Sequence, residues 1–206
     1  MDYKNYFDSK AYQSKNKNTK DLIHFFSKSE LKALSKNTIS IVGTNGKTST
    51  ANIIHKLLIQ EKIKSTKFIS PHLIDFKERI ESTSDQHFID AFVEVKKFEE
   101  KAKLNLGYFE ALFLMSSKVF LLNNDQFFIC EAGIGGKLDS TSIIQSENVV
   151  LTNIGYDHQE LLGESLLEIL DQKINISQSI KSLYVGELDK NLTSNLHILN
   201  KNIQDH

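Results

Sequence analysis

Cysteine is almost absent from this chain, and its scarcity limits both the cross-links and the thiol chemistry available to the protein. Cys130 has no second thiol to pair with, so no intramolecular disulfide can form. It lies in the apolar run Phe127-Phe128-Ile129-Cys130, whereas a catalytic thiol needs an electropositive and partly exposed setting. We therefore expect Cys130 to be a buried core residue.

Excess charge of one sign and long apolar segments are also lacking. The 25 basic and 26 acidic residues nearly cancel, which argues against nucleic acid or an anionic membrane surface as a partner. No uninterrupted apolar run reaches membrane-spanning length, and the polar N-terminus has no signal-peptide character. We expect a cytoplasmic protein whose partners are small molecules or proteins.

The remaining composition is that of a globular protein. A hydrophobic content of 40% in 206 residues is enough for one large domain with a substantial core. The first eighteen residues differ, because they are polar and rich in lysine, asparagine and serine. They predict an N-terminal arm over 1–18 that is mobile or lies on the surface and contributes no core element. Residues 19–206 are assigned to a single domain.

Strands and helices alternate along this domain. Apolar and β-branched runs predict strands at 38–42, 66–69, 126–131, 148–152 and 183–186. Helical periodicity predicts helices at 47–61, 86–104, 108–122 and 164–176. The first of these helices is expected to bury one face, formed by Ala51, Ile53, Ile54, Leu57 and Leu58. The alternation predicts an α/β fold with a mostly parallel sheet and helices on both faces.

A glycine-rich loop, Gly43-Thr44-Asn45-Gly46-Lys47-Thr48-Ser49, lies between the first predicted strand and its helix. Backbone N–H groups and the positive helix end at such a turn bind phosphate oxygens, and Lys47 would neutralise the β- and γ-phosphates. The full P-loop pattern requires glycine at position 41, where this chain has Ile41, so the loop is a shortened variant. A chance Gly-Lys-Thr turn is the alternative, but the flanking strand and helix favour nucleotide binding.

Two polar side chains follow later strands. Glu131 ends an apolar strand and opens a glycine-dense turn, and His158 follows the next strand along the chain. The carboxyl ends of parallel strands form the ligand crevice of an open sheet, so Glu131 is predicted to face the metal ion of the nucleotide. His158 would complete the metal shell. The alternatives are a solvated glutamate at a strand end and a surface histidine.

Lys173 has helical spacing from Leu166 and Leu170, which places it on the stripe that faces the core. Its stem either passes the edge of the core to reach solvent, or the amine is desolvated. A desolvated lysine has a lowered pKa, which makes it chemically modifiable or able to reach bound phosphate.

The end of the second predicted strand carries weaker signals. Ser70 precedes Pro71, the only proline in the chain, and a plain turn explains this pair as well as a functional role does. Glu78 and Arg79, a few residues later, are compatible with a surface ion pair.

These segments, in this order, resemble the Mur ligase superfamily and, within it, folylpolyglutamate/dihydrofolate synthase. The resemblance covers roughly residues 38–186 and implies a P-loop NTPase-like central domain. It is carried by the stretches 43–49, 70–73 with 76–80, 108–111, 131–141, and 157–163 with Lys173. Thr48 departs from this branch, which usually has glycine at that place.

The resemblance implies ATP and Mg²⁺ as cofactors and assigns roles to individual side chains. Lys47, His158 and Lys173 would be catalytic, and Lys173 would correspond to the carbamylated lysine of the family. ATP phosphates would contact the loop 43–49, chiefly Gly46, Lys47, Thr48 and Ser49. The magnesium ligands would be Ser70, Glu131 and His158, and the pteroate site would include Tyr108, Phe109, Glu110, Leu138, Asp139 and Ser140.

The implied activity is an ATP-dependent ligation. ATP phosphorylates the carboxylate of dihydropteroate or folate, and the amino group of L-glutamate displaces phosphate from the acyl phosphate. Because family members are longer, we interpret the chain as an incomplete central domain whose C-terminal partner domain is absent or supplied by another chain. Two alternatives are a peptidoglycan-precursor Mur ligase, which Ser70-Pro71-His72-Leu73 and Leu161-Leu162-Gly163 argue against, and a non-catalytic nucleotide-binding module acting with a partner chain.

Overall fold

A six-stranded sheet forms the centre of the fold. The computed structural model describes residues 3–10, 19–81 and 84–200. Every neighbouring pair of strands is parallel except β2 and β3, so the predicted sheet is confirmed. The spatial order is β3-β2-β4-β1-β5-β6, with β1 (Thr38–Val42), β2 (Ser65–Phe68), β3 (Ile80–Glu81), β4 (Phe127–Glu131), β5 (Asn148–Leu151) and β6 (Ser182–Val185).

Helices connect most of these strands, and short 3₁₀ turns occur at Ile23–Phe25, Phe76–Arg79 and Ser140–Ile144. Ser27 and Ser165 begin α3 and α8 with capping boxes, in which the serine and a glutamate three residues later satisfy backbone N–H groups. The helices are α1 (Tyr3–Lys10), α2 (Thr19–Leu22), α3 (Lys28–Asn37), α4 (Lys47–Gln60), α5 (Asp85–Ala102), α6 (Tyr108–Asn123), α7 (Gln159–Leu162), α8 (Leu166–Ile174), α9 (Lys190–Ser194) and α10 (Leu196–Leu199).

Alternate residues of β4 contact different helical layers. Phe128 and Cys130 belong to the cluster that includes the apolar residues of α5 and α6, whereas Ile129 packs with Ala51 of α4. Because successive side chains of a strand point to opposite faces, α4 and α6 lie on opposite sides of the sheet. Cys130 is fully buried as predicted, and burial raises the pKa of its thiol.

The buried face of α4 is narrower than the sequence pattern predicts. Ala51 is fully buried and Ile54 and Leu58 pack beside it, but Ile53 and Leu57 are 58% and 56% exposed. An α-helix turns about 100° per residue, so these two positions lie roughly opposite Ala51. Their assignment to the buried face is wrong.

The helix α1 contradicts the prediction that 1–18 contributes no core element. The Phe7 side chain is 1% exposed, and its ring lies 4.6 Å from that of Phe76. Lys10 forms an ion pair of 2.5 Å with Glu99 and donates a hydrogen bond of 2.9 Å to the carbonyl of Leu106. Residues 1–18 are mostly polar, and the prediction gave too little weight to the few aromatic residues that form the apolar face of α1. Residues 11–18, the rest of the predicted arm, lie outside the described residues.

None of the helices in the described ranges combines the length and the apolar character that crossing a membrane requires. The longest, α5, has 18 residues and alternates apolar with charged positions. Its buried residues, Phe88, Ala91, Phe92 and Val95, pack towards the core instead.

Candidate nucleotide-binding site

Four adjacent strands end at the same edge of the sheet. Their spatial order is β2-β4-β1-β5, and all are parallel, so their carboxyl ends lie side by side. Glu131 is the last residue of β4, and Ser70 lies two residues after the end of β2. The glycine-rich loop follows β1, and residues 152–158 follow β5. This edge is where an open α/β sheet forms its ligand crevice.

Two positions in the loop between β1 and α4 have positive φ angles, which favour glycine. Gly43 has φ of 149°, and a side chain there would collide with the hydroxyl of Thr152. Gly46 has φ of 79° and begins α4 in the left-handed region, with open space beside it. The free N–H groups of the first turn of α4 therefore face an open cradle.

The segment after β5 holds this loop in place. The Thr44 hydroxyl accepts a hydrogen bond of 2.9 Å from the Gly155 N–H and donates one of 3.0 Å to the Gly155 carbonyl. The Asn153 side-chain oxygen accepts from the Asn45 N–H at 2.9 Å. Sequence reasoning missed Asn153, although its position just beyond β5, at the predicted ligand edge, was a usable signal.

Two lysines converge on one carbonyl oxygen. Lys47 Nζ and Lys173 Nζ donate hydrogen bonds of 3.0 and 2.9 Å to the oxygen of Gly43. Lys173 is only 2% exposed, so the prediction that it faces inward is confirmed. Burial, reinforced by the charge of Lys47 and opposed by Asp157 and Asp139, lowers the pKa of Lys173 to about 8. Such an amine is substantially neutral at mildly alkaline pH and therefore nucleophilic.

The position of Lys173 depends on close packing between Gly136 and α8. A Cβ atom on Gly136 would lie 2.6 Å from the carbonyl oxygens of both Gln172 and Lys173. The Lys137 N–H donates to the Gln172 carbonyl at 2.7 Å. The glycine turn after β4 thus brings α8 close enough for the Lys173 side chain to reach the loop after β1.

Glu131 lies beside the same loop. Its carboxylate oxygens accept from the Thr48 hydroxyl at 2.9 and 3.1 Å and from the Ser70 N–H at 3.0 Å. The Thr48 hydroxyl also lies 3.3 Å from the Ser70 carbonyl oxygen. Burial raises the pKa of Glu131, and the bonds from Ser70 and Thr48 and the charges of Lys47 and Arg79 oppose that rise. A carboxylate oxygen is a donor that a hard divalent ion prefers.

His158 contacts its neighbours in the chain. It is the residue before α7, with φ of 47°, and its side chain is 42% exposed. Its ring nitrogens lie 3.6 Å from Asp157 and 3.7 Å from Glu160. Thus the structure brings Ser70 and Glu131 together, while the contacts of His158 are with its chain neighbours.

The oxygen groups around Glu131 fit a hard divalent cation. Among the described residues, no cluster of three or more His, Cys, Asp or Glu side chains is placed to hold a metal. Mg²⁺ commonly uses only one or two carboxylates and completes its shell with phosphate oxygens and water. Glu131, with the Thr48 hydroxyl and the Ser70 backbone carbonyl nearby, provides the donor types that such an ion prefers.

The two segments predicted for the second substrate meet at Gly133. A Cβ atom there would lie 3.0 Å from the Phe109 ring and 3.2 Å from Asp139 Oδ2. The Phe109 ring is also 5.2 Å from that of Phe68, while Tyr108 lies 6.1 Å from the His72 ring. Phe109 thus lies beside the glycine turn and Tyr108 beside His72, and these two neighbouring side chains are together termed the aromatic surface.

The other residues of these segments differ in exposure and in their contacts. Glu110 is buried and accepts from the Gly107 N–H at 2.7 Å, closing the start of α6. Asp139 is also buried and accepts from the N–H groups of Gly133, Ile134 and Thr141. Ser140 is 6% exposed, whereas Leu138 is 64% exposed. Glu110 and Asp139 thus shape the loops in which the aromatic residues and Leu138 lie.

The Glu78 carboxylate binds backbone N–H groups and does not pair with Arg79. Glu78 accepts hydrogen bonds from the N–H groups of Leu73, Ile74 and Asp75 and so organises the loop after Ser70. The Arg79 guanidinium instead donates from Nε to His72 Nδ1 at 2.8 Å. The ion-pair interpretation is wrong.

Comparison with known proteins identifies the family of the chain. A family model described as the Mur ligase middle domain matches residues 41–204. The chain belongs to this family. A dihydrofolate synthase/folylpolyglutamate synthase of Buchnera aphidicola subsp. Schizaphis graminum is 36% identical over 152 residues, which are 72% of this chain and 36% of that relative.

Solved structures show the same Mur ligase fold. E. coli FolC in complex with DHPP and ADP superposes with a TM-score of 0.79 at 24% identity, over 95% of this chain and 48% of that one. An FPGS–AMPPCP–folate complex superposes with a TM-score of 0.78 at 26% identity, over 97% and 52% of the two chains. The chain thus spans about a third of the curated relative and about half of each solved chain.

Proposed function

We propose that this chain is the nucleotide-binding part of an ATP-dependent ligase that joins L-glutamate to dihydropteroate or folate. The observation that carries the proposal is the contact of Thr48 with Glu131 and Ser70, directly beside Lys47 and the start of α4. In this proposal the loop that would bind phosphate lies next to a buried carboxylate. The relative from Buchnera aphidicola and the complexes with ADP or AMPPCP support this reading.

The residues of the chain meet the needs of the reaction. A carboxylate must attack the terminal phosphoryl group of ATP, so two anions have to approach each other. Lys47 and the N–H groups that begin α4 neutralise and orient the phosphates. Glu131, Ser70 and His158 would hold Mg²⁺, which supplies positive charge at the phosphates when bound. In the second step the glutamate amine displaces phosphate from the acyl phosphate, so no protein nucleophile is required.

Lys173 and the aromatic surface have further roles in this proposal. Lys173 is buried and has a pKa of about 8, so part of it is the neutral amine. That amine would add to carbon dioxide and release a proton to solvent, which gives a carbamate, and the position would then carry an anion towards the metal and phosphate. Tyr108, Phe109 and Glu110 would line the site for the pterin-containing acid together with Leu138, Asp139 and Ser140.

Nucleotide binding is tested by calorimetry with AMPPCP and MgCl₂ on the whole chain. Lys47→Ala should abolish binding, because the principal phosphate-facing cation is removed. Lys56→Ala, which removes an exposed lysine from the same helix, should bind like the wild type. Unchanged affinity in Lys47→Ala would remove the assignment of the phosphate loop.

Turnover is tested separately, by incubating the chain with ATP, MgCl₂, L-glutamate and dihydropteroate and measuring phosphate release. Release that depends on both dihydropteroate and glutamate supports the ligase. Nucleotide binding without release supports instead a nucleotide-binding module that works with a partner chain. Release only with a peptidoglycan-precursor nucleotide and an amino acid would overturn the folate assignment.

A further inference from the structure

Arg79 is the only arginine among the 25 basic residues of this chain. Every other basic position is a lysine. Lysine presents a compact charge, whereas arginine presents a rigid planar set of donors that matches a carboxylate with two parallel hydrogen bonds. Arg79 is therefore the one side chain of this sequence that can bind a carboxylate through the planar donors of a guanidinium.

The structure orients this guanidinium and leaves its outer donors available. Its Nε donates to His72 Nδ1 at 2.8 Å, and its Cζ lies 5.1 Å from the centroid of the Tyr108 ring. The side chain is half-buried. Over residues 3–10, 19–81 and 84–200, no carboxylate forms an ion pair with Arg79, and neither Nη group donates a hydrogen bond.

Such a cation is costly to the fold. Burial lowers the pKa of Arg79, and an unpaired guanidinium that is half-buried loses hydration without a compensating partner. The neighbouring glutamate does not compensate, since Glu78 binds three backbone N–H groups of its own loop. A ligand that supplies a carboxylate would provide the missing partner.

The position of Arg79 indicates which part of a ligand it would meet. The Arg79 guanidinium lies against the Tyr108 ring. The Arg79 carbonyl accepts a hydrogen bond of 3.0 Å from the Ile69 N–H, and the next residue, Ser70, donates its N–H to Glu131 at 3.0 Å. Arg79 thus adjoins both Tyr108 and the strand end that contacts the carboxylate next to the phosphate loop. An aromatic acid that is to be phosphorylated must bring its carboxylate to this part of the site.

We propose that Arg79 binds the carboxylate of the aromatic acid substrate, using both Nη groups while His72 and Tyr108 hold the guanidinium plane. This inference rests on the proposed function, because it names the group that receives that substrate. No bond to Arg79 forms or breaks. The residue offsets the charge of the acid and directs one carboxylate oxygen towards the phosphoryl group.

The test compares two probes, pteroate and its neutral carboxamide, titrated by calorimetry into the whole chain with AMPPCP and MgCl₂ present. Wild type should bind the acid about 10- to 100-fold more tightly than the amide, as expected for charge-assisted bidentate hydrogen bonds. Arg79→Gln should bind the two probes equally. Arg79→Lys should keep only part of the preference, because it restores charge without the planar donors. Lys77→Gln, which removes an exposed neighbouring cation, should behave like the wild type.

Each contrary result has a distinct meaning. Equal affinity of wild type for the two probes, or a full preference retained in Arg79→Gln, overturns the inference. Wild type that binds AMPPCP but neither probe also overturns it, while nucleotide binding stands. Wild type that fails to bind AMPPCP contradicts the proposed function itself. Unchanged AMPPCP affinity shows that a variant is folded, and if Arg79→Gln fails this check, the wild-type comparison and Arg79→Lys still decide.

Discussion

The hydroxyl of Thr48 donates to both carboxylate oxygens of Glu131, at 2.9 and 3.1 Å, across 83 residues of sequence. This contact joins the first turn of α4 to the end of β4. The contact also links the predicted phosphate loop, which contains Thr48, to the buried carboxylate of Glu131.

Glu131→Gln should stabilise the metal-free chain at neutral pH. Burial raises the pKa of Glu131, so its contribution to stability is fully present below the unfolded pKa and is lost as pH rises through the folded pKa. Glutamine keeps the shape without the charge, and we expect a gain on the order of 1 kcal/mol at pH 7 that shrinks at pH 4. Urea denaturation at both pH values measures it.

The same variant should lose the effect of Mg²⁺ on AMPPCP affinity, because the metal requires the carboxylate. Glu61→Gln, at an exposed position after α4, should change neither property. Lower stability of Glu131→Gln at pH 7 would show that the bonds from Thr48 and Ser70 outweigh the cost of burying the charge.

Lys173→Met should make the chain more stable and less dependent on pH. Because burial lowers the pKa of Lys173 to about 8, the unfolded chain binds more protons than the folded chain between that value and the ordinary 10.5. Wild-type stability therefore rises with pH across this window, and the penalty of burying the cation is complete below it. Methionine fills similar space without charge, so we expect a gain of about 1–3 kcal/mol at pH 7 and a smaller one at pH 9.5.

The measurement for Lys173 is urea denaturation in carbonate-free buffer, because carbamate formation would replace the cation by an anion. Lys56→Met, at an exposed position on α4, is the control and should show no such pH dependence. A gain for Lys173→Met that is equal at the two pH values would contradict the lowered pKa.

Gly136→Ala should destabilise the fold and displace Lys173. The added Cβ would lie 2.6 Å from two backbone carbonyl oxygens of α8, which cannot move without shifting the helix. We expect a loss of about 2 kcal/mol or more, and weaker AMPPCP binding. Gly155→Ala is the matched control, since its Cβ would first meet Thr44 at 3.6 Å, an ordinary contact. Thermal unfolding and calorimetry test both variants, and equal stability of the two would refute the close packing of α8.

Local patterns in the chain were sufficient for most of the architecture. The runs that became β1, β4 and β5 are almost wholly apolar or β-branched, and the glycine-rich loop between β1 and α4 has the composition that a phosphate cradle requires. Several short elements were missed, two of them for reasons that the structure identifies. The strand β3 has only two residues, too few to show a period of two. The helix α1 is short and polar apart from its aromatic residues, which become significant only against Phe76 and Tyr108.

The sequence by itself determined five of the strands and the long helices, that a phosphate-type loop follows the first strand, and that Lys173 faces inward, because these features depend on side-chain periodicity and on neighbours a few residues away. Only the tertiary structure decided which side chains meet. It placed Glu131 against Thr48, turned Arg79 towards His72 and away from Glu78, and left His158 with its own neighbours. Such contacts depend on strand order and on the close approach of distant segments, which no local pattern encodes.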